Sequence, residues 1–182
     1  MIECIDLVST TESREHPRII NLPPKAKDLL TYYELPPYVV DENGEAEFDK
    51  KTVFLVEKMD GATVSWLRRI AQAGDVTVCG SVVINDNGHI YNRFIWTNGE
   101  GLGYYDKRHL FRMAGEHHHY ASGTQRLVVQ LDGWRICPVI CYDLRFPVWL
   151  RNRDDYDLRL CPANWPAPRA QAWDGLLKAR AI

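Results

Sequence analysis

The run Trp134-Arg135-Ile136-Cys137-Pro138-Val139-Ile140-Cys141-Tyr142-Asp143-Leu144-Arg145-Phe146-Pro147 constrains this chain more than any other stretch. It opens as an apolar, β-type segment, ends on a thiol, passes at once into turn and charged residues, and meets a helical pattern near Pro147. A strand that delivers a cysteine into a sharp turn ahead of a helix fixes the backbone and exposes the side chain, which is how a fold presents a nucleophile. The same residues admit a plainer reading, with Cys141 as a small buried hydrophobe at the end of a core strand. Tyr142-Asp143-Leu144-Arg145 weighs against it, being polar enough for a surface or cleft. A working nucleophile also needs a base or a positive field nearby, because an unperturbed thiol is mostly protonated at neutral pH. Cys137, four residues earlier on the same strand, points to the same face but lies within the strand and reads as core.

The surrounding pattern alternates strands and helices. Val64, Leu67, Ile70 and Ala71 recur at helical spacing, with Gly74 where a C-terminal cap belongs. Val76–Ile84 and Ile90–Thr97 read as strands joined by Asn85-Asp86-Asn87-Gly88. Arg126–Leu131 and Trp134–Cys141 repeat the arrangement around Asp132-Gly133. A short helix over Phe146–Arg153, a strand over Asp157–Pro162 and a final helix from Arg169 onward follow. Hairpin pairs that give way to strand–helix alternation imply an α/β sandwich with mixed sheets. Upstream, Ile2–Val8 reads as a short strand, Lys25–Tyr33 as a helix, and Tyr38-Val39-Val40 as a strand ending in the turn Asp41-Glu42-Asn43-Gly44. Arg159 interrupts the otherwise buried-looking Leu158-Arg159-Leu160-Cys161, and the chain stops inside a helical pattern.

Composition narrows the classes. A chain of 182 residues suits one domain, and a formal charge of -2 with pI near 6.3 leaves no electrostatic footprint for nucleic acid or an anionic membrane. No apolar run approaches a membrane span, and the N-terminus lacks the layout of a signal peptide, so a cytoplasmic location is expected. The five cysteines, at 4, 79, 137, 141 and 161, are odd in number and irregularly spaced, which favours reduced thiols over a disulfide framework.

Other residues qualify as chemistry-bearing. Lys107 lies in Tyr104-Tyr105-Asp106-Lys107-Arg108-His109-Leu110-Phe111. By itself it fits a solvated loop, but Tyr104, Tyr105 and Phe111 suggest a segment packed on the body of the protein. A lysine held there supplies a fixed positive charge for a developing oxyanion and for a neighbouring thiolate. Glu116 precedes His117-His118-His119. Adjacent histidines do not converge on one ion without an irregular backbone, and no C-x-x-C pair accompanies them, so no metal is expected. Asn164 and Trp165, in Pro162-Ala163-Asn164-Trp165-Pro166, fall at the C-terminal end of a strand, where α/β folds gather ligand contacts.

Together, Tyr105–Phe111, Gly115-Glu116, Cys141–Pro147 and Ala163-Asn164-Trp165-Pro166 resemble the nitrilase, or carbon–nitrogen hydrolase, superfamily, most closely its omega-amidase-like branch, over residues 59–182. The resemblance implies a four-layer α-β-β-α sandwich in a single domain over residues 1–182, with residues 1–50 divergent and the C-terminal part of the family fold missing. It also implies a Glu–Lys–Cys triad without a cofactor. Cys141 would attack the amide carbon, while Lys107 and the backbone N–H of Tyr142 stabilise the oxyanion. Ammonia leaves, and water hydrolyses the thioester with a glutamate as general base. Glu116 matches a supporting glutamate. The triad glutamate belongs to a Pro-Glu step upstream of Met59-Asp60-Gly61. No such pair occurs here, and Glu42 is the candidate.

The implied substrate is a small ω-amide of a dicarboxylate, such as 2-oxoglutaramate. Arg145 or Arg112 would meet its carboxylate, and Asn164 and Trp165 would line the pocket. A homodimer or higher homo-oligomer is expected, with neither nucleic acid nor membrane as partner. The rival expectation is a truncated, non-catalytic nitrilase-like binding or oligomerisation protein. A metal-binding protein using the histidine triplet is a third.

Overall fold

The computed structural model describes residues 2–4, 56–165 and 167–181. Four layers stack in it. Helix α1 (Ala62–Gly74) covers a four-stranded sheet in the order β1-β2-β3-β4: Ile2–Cys4, Thr77–Asp86, His89–Thr97 and Leu102–Asp106. A second sheet of β5 (Val129–Leu131), β6 (Trp134–Pro138) and β7 (Leu158–Leu160) lies against the first. The one-turn α2 (Pro147–Leu150) and the longer α3 (Ala170–Ala181) make up the outer helical layer. Both sheets are mixed: β1–β2 and β6–β7 are parallel, and the other pairs antiparallel. Among the described residues, no helix is long and apolar enough to cross a membrane.

Each interlayer gap has its own apolar cluster. Val64, Leu67, Ile70 and Ala71 of α1 pack on Val78, Val82, Ile84 and Ile95. Cys79, Phe94, Trp96 and Tyr105 meet Ile136 and Ile140 between the two sheets. Val139, Leu144 and Leu150 pack with Trp173 and Leu176 of α3. The period-2 alternation of β3 explains the sorting: Phe94 and Trp96 face the second sheet, and Ile95 faces the helix.

Local chemistry sets the element ends. Asn87 (φ 53°) and Gly88 (φ 86°) form the two-residue turn between β2 and β3, and Asp132 (φ 50°) and Gly133 (φ 85°) do the same between β5 and β6. The left-handed residue after α1 is Asp75 rather than Gly74; its N–H donates to the Ala71 carbonyl, and Gly74 remains helical. At the other end, Glu57 accepts the Thr63 N–H and hydroxyl, placing a carboxylate at the helix N-terminus.

Three expectations need correcting. β4 was not foreseen as a strand. β6 stops at Pro138 rather than Cys141, so the alternation that would set Cys137 and Cys141 on one face does not reach Cys141. Cys137 is buried, its thiol 3.7 Å from Arg126 Nη2. The helix expected over Phe146–Arg153 is present but shorter, as α2, and a 3₁₀ turn, Cys141–Arg145, precedes it. Arg159 has a structural explanation: its guanidinium donates to the carbonyls of Leu150 and Arg180 and to the Tyr156 hydroxyl, tying the loop after α2 and the end of α3 to β7. The segments expected at 25–33 and 38–44, Glu42 included, lie outside the described residues.

Arg93 on β3 sits opposite Asp106 on β4. Its guanidinium holds Asp106 in two hydrogen bonds of 2.6 and 2.9 Å, reaches Asp86 at 3.1 Å, and lies 3.9 Å over the Tyr104 ring. Replacing Arg93 with Met strands two carboxylates on one face of the sheet. The expected loss is about 3 kcal/mol of unfolding free energy, read from urea denaturation.

Candidate active site

The site grows from the end of β4. Tyr105 is buried between the sheets, and Lys107, two residues on, shares its face. The Lys107 N–H donates to the Asn92 carbonyl at 2.9 Å, continuing the ladder one step past Asp106 and directing the lysine into the intersheet gap. Only 4% of Lys107 is exposed. Its ammonium is chelated by Glu116, at 2.9 Å to Oε1 and 2.7 Å to Oε2. Glu116 is held in turn by the N–H of Phe111 and by a pair of 3₁₀ turns hinged at Gly115 (φ 71°).

Cys141 enters the same gap from the second sheet, packed against the cluster that contains Tyr105 and Ile140. Its φ of 44° is left-handed, a conformation a non-glycine residue adopts only when its surroundings enforce it. The Cys141 N–H is fixed on the Pro162 carbonyl at 2.9 Å, and the thiol donates to the Asn164 carbonyl at 3.6 Å. Burial pushes the thiol above its ordinary pKa. Lys107 pulls it back down, while Glu116 and Asp143 push it up. At rest the sulfur keeps its proton, so nucleophilic use requires a base.

Asp143, which sequence reasoning left without a role, is fully buried and joins the two halves. Oδ2 accepts the Tyr105 hydroxyl at 2.7 Å and the Ile140 N–H at 3.0 Å. Oδ1 accepts the His109 N–H at 2.8 Å and lies 2.8 Å from His109 Nδ1. The His109 ring stacks on Phe146 at 3.7 Å, and Trp149 Nε1 donates to the Tyr105 oxygen at 3.2 Å. A signal existed: Asp143 stands three residues after Ile140, which precedes the turn Cys141–Arg145, and an acid at that position reaches back to the N–H of the residue that opens the turn.

The remaining candidates form the rim. Tyr142 follows the thiol, its ring against Phe111 and Phe146. Arg145 lies 4.9 Å over the Trp165 ring, whose Nε1 donates to the Arg169 carbonyl. Arg112 lines a neighbouring cleft of about 380 Å³ with Arg108, His109, Tyr142 and Phe146. Neither Arg145 nor Arg112 pairs with a carboxylate among the described residues. Asn164 contributes its backbone carbonyl. His117 and His118 hold their rings 3.9 Å apart, and no group of three or more potential ligands among the described residues is placed to hold a metal. Glu42 cannot be placed relative to these groups, since it is outside the described residues.

The described residues thus form an α-β-β-α sandwich in which Lys107 acts on the Cys141 thiol from the neighbouring sheet. Residues 30–182 match the family described as carbon–nitrogen hydrolase, and the chain belongs to it. It is 56% identical over 120 residues to the omega-amidase YafV of Yersinia enterocolitica, covering 65% of this chain and 47% of that protein. It is 37% identical over 123 residues to the 2-oxoglutaramate amidase of Bacillus subtilis, covering 65% and 48%. The chain thus spans about half the length of these relatives. A solved structure of a CN-hydrolase superfamily protein from Xanthomonas campestris, with an arsenic adduct in its active site, superposes with a TM-score of 0.71 at 43% identity, covering 86% of this chain and 63% of that one.

The charge balance around the sulfur has a testable sign. Glu116 opposes ionisation of Cys141, both directly and by neutralising Lys107. In Glu116→Gln the pH profile of Cys141 alkylation by iodoacetamide is expected to move to lower pH.

Proposed function

We propose that this chain hydrolyses a small ω-amide of a dicarboxylate, of the 2-oxoglutaramate type, through a thioester on Cys141. The observation that carries the reading is that the Glu116-chelated Lys107 ammonium stands close enough to the Cys141 thiol to favour its ionisation. The relatives named omega-amidase and 2-oxoglutaramate amidase support the substrate class.

The steps follow from the groups available. Glu42 takes the thiol proton as sulfur attacks the amide carbon. The oxyanion forms against the Lys107 ammonium and the Tyr142 N–H, where fixed positive charge in a poorly solvated site is worth most. The C–N bond breaks as the proton passes to nitrogen, releasing ammonia. Water, deprotonated by the same glutamate, then attacks the thioester; the C–S bond breaks, giving the acid and restoring the thiol. Glu116 keeps the ammonium in place. Arg145 or Arg112 meets the substrate's carboxylate, and Asn164 and Trp165 form the wall.

Ammonia release from 2-oxoglutaramate is the test. Cys141→Ala is expected to abolish it and Lys107→Met to lower kcat about 100-fold or more; folded parent protein without turnover would overturn the proposal. Replacing Arg145 and Arg112 singly with Leu identifies the carboxylate partner. The one that holds it raises KM for 2-oxoglutaramate about tenfold, while turnover of a neutral monoamide is unchanged.

A further inference from the structure

We infer that Asp143 is the positioning residue of this site, a buried strap that sets where the Cys141 thiol stands relative to the Lys107 ammonium. The inference rests on the roles proposed above for those two groups. Its donors bracket both of them. On the lysine side they come from Tyr105 and His109, two residues before and two after Lys107. On the cysteine side the Ile140 N–H precedes the thiol and Asp143 itself follows it. Three donors and the His109 Nδ1 crowd around one carboxylate, so the two segments cannot shift without breaking hydrogen bonds in a dry site. His109 stacked on Phe146, and Trp149 hydrogen-bonded to Tyr105, close the strap from outside.

Two features separate this from ordinary core glue. A buried charge is an expensive way to hold strands that already share an apolar cluster. The carboxylate also disfavours the thiolate it stands beside, so activating the sulfur by charge is not its use. What it supplies is geometry, including the surroundings that keep Cys141 at its left-handed φ.

The test is a double-mutant cycle read by alkylation of Cys141 with iodoacetamide across pH. The groups facing the thiol are Lys107, Glu116, Asp143 and Cys161, the last pushed up to about 12 by burial and therefore silent below that range. In the parent, Lys107→Met is expected to move the alkylation profile to higher pH. In an Asp143→Asn background it is expected to move it little, because the ammonium no longer stands at the sulfur. An equal shift in both backgrounds overturns the inference.

Turnover supplies a second arm: Asp143→Asn should lower kcat about 100-fold with KM within about threefold. A lower unfolding midpoint with unchanged kcat would mark Asp143 as structural only and overturn it. Should Asp143→Asn fail to fold, Tyr105→Phe removes one donor; a kcat and a Lys107→Met shift both unchanged from the parent would overturn the inference. A parent without amidase turnover defeats the proposed reaction, yet the alkylation cycle still decides the role of Asp143.

Discussion

The carboxylate of Asp143 is the point on which both halves of the site bear. Neither sheet carries the chemistry alone. Lys107 is an extension of β4 and Cys141 opens the turn after β6; the two sheets meet mainly through the apolar cluster of Phe94, Trp96, Tyr105, Ile136 and Ile140. Apolar packing is strong but non-directional. A cluster of that kind holds two layers together while leaving angstrom-scale sliding inexpensive, and contacts of 2.7 to 2.8 Å from Tyr105 and His109 to Asp143 across the junction remove that freedom.

Electrostatically the gap is balanced rather than strongly positive. The Lys107 charge is matched at once by Glu116, and the net effect on Cys141 is upward because burial outweighs the lysine. This arrangement stores the sulfur as a thiol and leaves its ionisation to the moment a base acts. It also shields a half-buried cysteine from adventitious oxidants and alkylators, since these react with the thiolate.

The elements most legible in the sequence were those whose signals are local. Asn87-Gly88 and Asp132-Gly133 mark their turns through backbone sterics, and the apolar spacing of Val64 to Ala71 describes α1 without any knowledge of what it covers. β4 was less visible because it has only five residues, includes Gly103, and leaves Tyr104 47% exposed beneath the Arg93 guanidinium. The candidate site divides the same way. Cys141, Lys107 and Glu116 stood out as reactive residue types in a recognisable order, whereas Asp143 passed for a surface acid because its partners Tyr105 and His109 lie across the fold, 34 to 38 residues away. Pairing at that range has no local signature.

The backbone at Cys141 carries one more implication, for which nucleophiles this scaffold can evolve. A φ of 44° is tolerable for an unbranched β-carbon and a severe outlier for a branched one. Exchange of sulfur for a hydroxyl is therefore open through serine, whereas threonine, whose extra methyl group crowds the backbone at a left-handed residue, is disfavoured. The elbow thus limits the chemistry of its own descendants before any question of reactivity arises.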